Sequence, residues 1–402
     1  MTVWIIEPRD PLIVRDGRPF GPDPGVRAVS LAFPFPSTTT GALRTQAGLN
    51  EHGIFTQTQA QLADLKKIAV RGPLLVELDN RDQIADWLLP APADALLFDK
   101  DDQHPKIIRQ LVPLKLQADE YTDLPDDLAP VGLPSADPRK PKKDAPAFWR
   151  WNYFKDWLLN PHNDSPIPDD LGHAGPTRES RIHIQQDPRR GASEEGKLFE
   201  TSGLEFTCGG KDRQTLSAAS RLALAIVSDH EIPHPQAVDT LGGERRLAMW
   251  RRSECALPKH PPELIECIVK QRACRLILLT PACFSEGYCP TWLLQPRHGV
   301  TPQMLAAAVG RPHVVSGWDY EKKRPKPTRH LTPAGSVYFL KLSGDADAIR
   351  TWVKETWMQC VSDDAKDQPN KDQDRIDGFG LAVLGMWDGK SQICTEETCN
   401  DS

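Results

Sequence analysis

Residues 3–21, VWIIEPRDPLIVRDGRPFG, and residues 31–45, LAFPFPSTTTGALRT, set the order of elements at the start of the chain. Val3, Trp4, Ile5 and Ile6 favour an extended backbone that Pro8 interrupts, so a strand is expected over residues 3–7. A polar loop with Arg9, Arg15 and Arg18 follows. Ser37, Thr38, Thr39 and Thr40 then mark the start of a helix that Ala42, Leu43 and Ala47 carry to about residue 49. The first N–H groups of a helix have no partner within it. With hydroxyls beside them and Arg15, Arg18 and Arg44 nearby, they form a pocket for an anion, and phosphate is the obvious one.

Further along, residues 67–71 and 74–78 read as strand. Residues 80–178 are dense in proline and charge and read as an insertion of loops and short helices. Inside it, FWRWNYFKDW (148–157) reads as a helix with Trp149, Tyr153 and Trp157 on one side. Such rings can stack bases or anchor the insertion, and their helical spacing favours anchoring. From Arg181 the pattern alternates, turns, and alternates again, which predicts a hairpin over 181–206 with Arg189 and Arg190 at its tip. Leu216, Ala219, Ala223 and Ile226 have helical spacing, and LGGERRLA (241–248) reads as a strand entered through Gly242 and Gly243.

The last third repeats the order. Strands are expected at 275–280, 313–318, 336–342 and 379–387, with helices beside Thr301-Pro302 and at 345–357. Two runs of βαββαβ imply an α+β fold of two ferredoxin-like (RRM-like) domains. Residues 1–255 form the first, with the large insertion and the hairpin as a thumb, and residues 262–402 form the second. Sheets of this kind are frequent RNA platforms.

With 402 residues, 39% hydrophobic and 26% charged, the chain has the make-up of a soluble globular protein. No apolar stretch reaches bilayer length and no leader precedes the first strand, so no membrane association and a cytoplasmic location are expected. Its nine cysteines show no CxxC pair and read as reduced structural thiols, with no metal site or cofactor expected. A net charge of −6 argues against a free-standing, non-specific nucleic-acid binder. The acids and bases cluster separately, which suits a local RNA groove on one subunit of an assembly.

Three further motifs bear on that groove. Gly378, Phe379, Gly380 and Gly385 form a Gly-rich loop that allows close backbone approach, although GFGLAVLG carries no Lys or Arg inside it. Arg245 and Arg246 follow the Gly242-Gly243 turn, and strand alternation would send them to opposite faces. Lys322, Lys323, Arg324, Lys326 and Arg329 concentrate positive charge before a rigid Pro333-Ala334-Gly335-Ser336 entry to a strand.

In order along the chain, EPRDPLIVRDGRPFG, PFPSTTTGALRT, LGGERRLA, SGWDYEKKRPKPTRHLTPAGSVYF and GFGLAVLG resemble the third-subunit family of the Cmr complex. That complex is the type III-B CRISPR RNA-guided effector, and the family lies within the RAMP superfamily. The resemblance implies a non-catalytic subunit that binds the 5′ handle of the guide RNA (crRNA). It implies as partners the large polymerase-like subunit and the first backbone RAMP subunit, with target RNA met indirectly. It also implies that the hairpin from Arg181 is a thumb pressed on guide RNA.

No catalytic constellation is found in the sequence. The histidines are scattered, none lies in the 37–44 block, and His52 reads as a loop residue. Asp10 and Asp16 sit among arginines and read as ion pairs, and no HD pair, GGDD or P-loop occurs. A metal-independent guide-processing ribonuclease on the same fold is the alternative, and a pure protein adaptor is a third.

Overall fold

An unbroken apolar run, Val3 to Ile6, lies in β1 (Thr2–Pro8), and because successive side chains point to opposite sides both of its faces are buried. The computed structural model of the chain describes residues 1–15, 27–28, 30–102, 104–117, 120–161, 165–187, 189–208, 220–316, 318–319, 324–325, 327–364 and 372–393. After β1 come helix α1 (Pro36–Ala47), β2 (Val70–Leu78) and β3 (Ile84–Pro90). The short strand β4 (Phe148–Arg150) runs directly into α2 (Trp151–Leu159), and β5 (Gly172–His173) precedes a long hairpin of β6 (Thr177–Gln186) and β7 (Ser193–Glu205). With β8 (Ser220–Ser228), β9 (Val238–Thr240) and β10 (Leu247–Arg252), the first sheet has the order β5–β4–β3–β2–β8–β1–β10–β9, antiparallel at every step.

The second sheet begins after α3 (Pro262–Gln271). It comprises β11 (Ala273–Leu278), β12 (Thr301–Ala308), β13 (Val337–Ser343), β14 (Gln359–Cys360) and β15 (Leu381–Met386), with α4 (Ala346–Thr356) between β13 and β14. Its order is β12–β13–β11–β15–β14, again antiparallel. The fold is therefore α+β, with mostly antiparallel sheets and few helices. Among the described residues no helix is long and apolar enough to cross a membrane.

Side-chain parity shows how the layers stack. Val3, Ile5, Leu74, Val76 and Ala225 from the first sheet share one core with Ile277, Val337, Phe339 and Val383 from the second. The alternate residues of the first sheet, Trp4, Ile6, Leu75 and Leu224, pack with Leu43 of α1. Those of the second, Leu276, Leu340 and Leu384, pack with Leu264 and Ile268 of α3 and with Trp352 of α4. Helices thus flank two sheets that face each other.

One ion pair lies at this seam. Arg275 and Asp94 are both fully buried and paired at 2.5 Å. Arg275 also donates to the carbonyls of Met386 (2.9 Å) and Trp157 (2.6 Å), and Asp94 accepts from Trp157 Nε1 (3.1 Å) and Gln110 Nε2 (3.2 Å). A Cβ at position 385 would lie 3.1 Å from Arg275 Nη2, so Gly385 leaves room for the guanidinium.

Several expected elements differ. Ala223 and Ile226 lie on central strand β8, not a helix, while Leu216 and Ala219 fall outside the described residues. Every residue from Leu222 to Ser228 is buried, so apolar side chains appear at all spacings and helical spacing loses its meaning. Thr301–Ala308 is an edge strand with alternating burial, where Pro302 is tolerated, and not a helix. His313–Val315 pairs with Arg329–Thr332 in a small separate sheet. The 80–178 stretch, expected as an insertion of loops and short helices, supplies strands β3, β4 and β5 that extend the first sheet. Trp149 is on a strand, and both it and Trp157 are buried, so these rings anchor the segment. Helix α3 was not expected, although Pro262, Leu264, Ile265 and Ile268 are a legible helix start and apolar face.

Removing one member of the buried pair should be costly. Asp94→Asn is expected to lose about 3–5 kcal/mol in urea unfolding, whereas the double variant Asp94→Leu/Arg275→Met should lose much less. A second outcome concerns pH. A hydrogen bond from Arg139, aided by Arg109, holds the Asp137 carboxyl down at about 2 from the ordinary 3.8. The folded value is the lower one, so this stabilisation is complete above pH ~4 and fades as pH falls towards ~2. The stability gap between the native chain and Asp137→Asn should close across that window in acid titrations followed by circular dichroism.

Candidate nucleic-acid interface

Helix α1 starts with Pro36 in its first turn and Phe35 as a cap with no side-chain hydrogen bond. Of the hydroxyl block, Thr39 Oγ1 donates to the Pro36 carbonyl (3.2 Å) and Thr40 Oγ1 to the Asp377 carbonyl (2.7 Å), and both side chains are buried. Arg44 pairs with Asp377 at 2.7 Å and donates to the Ile68 carbonyl at 2.9 Å. Ser37 remains exposed and Thr38 half-buried.

Asp377 adjoins the Gly-rich loop, so the two most specific ends of the sequence meet. Gly378 has φ +98°, and a Cβ there would lie 2.7 Å from the Gly72 carbonyl oxygen. Phe379 is 1% exposed, packed with Phe35, Val315 and Leu331, and the Arg329 guanidinium lies 5.5 Å from its ring centre. Gly380, at φ +79°, donates its N–H to the Pro281 carbonyl. Thr39, Thr40, Arg44 and the 378–380 loop therefore hold the protein together internally. Thr39, Thr40 and Phe379 are buried there, and Arg44 is half-buried.

A second convergence faces outward. Leu12 and Leu204 exchange backbone hydrogen bonds at 2.8 Å, which ties the segment after β1 to the hairpin base. On its other side, Gly243 donates to the Ile13 carbonyl at 2.7 Å and Arg9 N–H to the Leu247 carbonyl at 2.8 Å. Gly242, at φ +73°, allows this contact, because a Cβ would stand 2.5 Å from the Ile13 oxygen. Residues 9–15 are thus clasped between the hairpin and the Gly-Gly turn.

Arg15 bridges to Ser30 at the end of the clasp, with its side chain exposed. Arg245 is exposed, in a tight turn at φ +52°, while Arg246 is half-buried and paired with Glu244 at 3.0 Å. These two arginines precede β10 and do not alternate along it, because Gly243–Arg245 is a 3-10 turn. Arg181 is half-exposed on β6 and paired with Glu179 at 2.6 Å, a contact that raises its pKa. Arg189 and Arg190 are exposed at the hairpin tip, with the Arg189 N–H capped by Asp187 at 2.8 Å. Arg18, Lys322 and Lys323 lie outside the described residues.

Sequence reasoning missed the groove beside this clasp. A cavity of about 880 Å³ runs between Phe33, Phe35 and Phe148 on one side and His313 and Pro333 on the other, with Arg178 at its edge. The Phe33 and Phe148 rings are 5.3 Å apart, and burial lowers the pKa of His313. The signal for it in the sequence is the FPFP run at 33–36, whose two aromatic rings line the cavity. Among the described residues no group of three or more His, Cys, Asp or Glu could hold a metal ion.

The chain is a CRISPR-associated protein: the Cas_Cmr3 family model matches residues 4–387, and the chain belongs to that family. It is a Cmr subunit of the type III-B system, in agreement with the motif blocks. Among curated proteins none matches it. A chain in the cryo-EM structure of type III-B Cmr-beta bound to cognate target RNA and AMPPnP is 14% identical, with 84% of this chain and 86% of that chain covered and a TM-score of 0.44. A chain of the Csm3-Csm4 subcomplex of the type III-A interference complex is 10% identical, with 86% and 94% covered and a TM-score of 0.36.

The packing roles at the Gly-rich loop predict a contrast between glycines. Gly378→Ala should destabilise by more than about 1 kcal/mol, because both its φ and its neighbours exclude a side chain. Gly41→Ala, inside α1 with nothing within 4 Å, should stabilise by about 0.5–1 kcal/mol. Thermal melts of the two variants decide this.

Proposed function

We propose that this chain is a non-catalytic subunit of the type III-B effector that binds the 5′ handle of the guide RNA. In this reading it joins the large polymerase-like subunit to the first backbone RAMP subunit in cytoplasmic antiviral defence, and target RNA is met indirectly, through the guide. The observation that carries the reading is the clasp, which presents Arg15, Arg181 and Arg245 from three separate segments around one strand exit. Arginines on fixed backbone turns suit phosphates, and the neighbouring aromatic groove suits unstacked bases. The hairpin, with Arg189 and Arg190 at its tip, is the thumb that reaches along the guide.

Each sheet is taken as a ferredoxin-like unit. Its central four strands follow β10–β1–β8–β2 in the first sheet and β15–β11–β13–β12 in the second, the antiparallel order of that fold. In the first unit no α-helix lies between β8 and β10, and in the second α3 precedes β11 instead of following it. On this reading the first unit is residues 1–255 and the second 262–402.

Handle binding can be measured by fluorescence anisotropy of a labelled guide RNA on the assembled complex across a range of salt. Arg15→Ala, Arg181→Ala and Arg245→Ala should each weaken binding, and each lost phosphate contact should reduce the salt slope by about one. Arg44→Ala should instead lower the melting temperature and leave the slope unchanged. An unaltered affinity and slope in the triple variant sinks the proposal.

A further inference from the structure

Asp363 builds a loop that the handle-binding reading does not use. It is buried and accepts hydrogen bonds from Ser285 N–H (2.9 Å), Ser285 Oγ (3.0 Å), Thr291 Oγ1 (2.7 Å) and Trp292 N–H (2.7 Å). Four bonds to one carboxylate fix the backbone on which Trp292 stands. Two guanidinium groups lie over that indole, Arg297 at 3.4 Å and Arg375 at 4.3 Å from the ring centre. Arg297 is itself set on a tight turn, where its N–H and carbonyl exchange hydrogen bonds with Val300 at 2.9 and 2.8 Å.

The two cations differ in how they are satisfied. Arg375 donates to the Ser362 carbonyl (2.6 Å) and pairs with Asp364 (2.5 Å). Arg297 is half-buried and has no ion pair or side-chain hydrogen bond among the described residues, and its Nε is buried with no partner. Burial and the nearby Arg375 charge both lower its pKa. Arg297 is therefore held against the Trp292 ring beside a like charge, with its Nε unpartnered and no ion pair among the described residues.

In front of it opens a cavity of about 450 Å³ whose wall also carries Arg71. Among the described residues the Arg71 side chain donates one hydrogen bond, to the sulfur of Met1, a weak acceptor, at 3.0 Å. The acids on this wall are Asp229, which pairs with the amino terminus at 3.5 Å, and Asp372. Among the described residues Asp229 and Asp364 are already paired, and positive charge is in surplus there.

We infer that this cavity, formed by Arg71, Arg297 and Arg375 around Trp292, is a binding site for a phosphate group. Guanidinium forks match phosphate oxygens in geometry and charge, and a group entering here would take up the donors that Arg297 leaves unused. The site lies where β1 begins, whereas the clasp lies where β1 ends, so the inference does not depend on handle binding. The phosphate can come from an RNA phosphodiester or from a free phosphate compound.

The full chain in chloride buffer, compared with Arg297→Gln and Arg297→Lys, separates these sources. Inorganic phosphate should bind the native chain by calorimetry and raise its melting temperature. Arg297→Gln should bind it about tenfold or more weakly. Arg297→Lys, which keeps the charge but not the fork, should fall between them and serves as the folded comparison if the Gln variant is unstable. A salt slope for a labelled single-stranded RNA that falls by about one in Arg297→Gln assigns the phosphate to a polynucleotide. An unchanged RNA slope with lost phosphate binding assigns it to a free compound. If inorganic phosphate neither binds nor stabilises the native chain, or binds all three proteins equally, the site is refuted.

Discussion

The buried pair of Arg275 and Asp94 is the contact on which the arrangement of the two sheets rests. Two charges without access to water are tolerable only when every donor and acceptor is used, and here they are shared among three parts of the chain. Asp94 and Gln110 come from the region between β3 and β4, Trp157 from α2, and Arg275 and Met386 from the second sheet. Partial docking of any of these would strand a charge in an apolar core. The sheets, the intervening helix and the Pro-rich stretch are therefore positioned together.

The same seam explains why the terminal Gly-rich loop is specific without being exposed. Thr40 and Arg44 of α1 hold Asp377, and Thr280 Oγ1 donates to the Gly378 carbonyl at 2.7 Å. Sequence blocks separated by more than three hundred residues are thus parts of one joint. Their residue types are dictated by backbone proximity as much as by any ligand.

Local pattern made much of this legible. The first strand and β13 are apolar runs of strand-forming residues, the hairpin alternates about its arginine tip, and α1 and α4 carry helix-start signals, all readable directly. The misread elements are β8 and β12. In β8 the run of buried residues from Leu222 onward removes the contrast that a period needs, and in β12 three alanines blur it. For the interface, Arg15 and Arg245 were visible as basic residues, but their meeting depends on backbone contacts between Ile13 and Gly243 that no local pattern encodes. The aromatic groove was hidden for a similar reason, since Phe33, Phe148 and His313 are distant in sequence.

The placement of β1 has a consequence for the order in which the molecule comes together. Both of its hydrogen-bonded neighbours, β8 and β10, lie between residues 220 and 252. During synthesis β1 therefore emerges more than two hundred residues ahead of the first strand it can join. Closing so large a loop is slow, so the pairing of β1 is among the late events of folding.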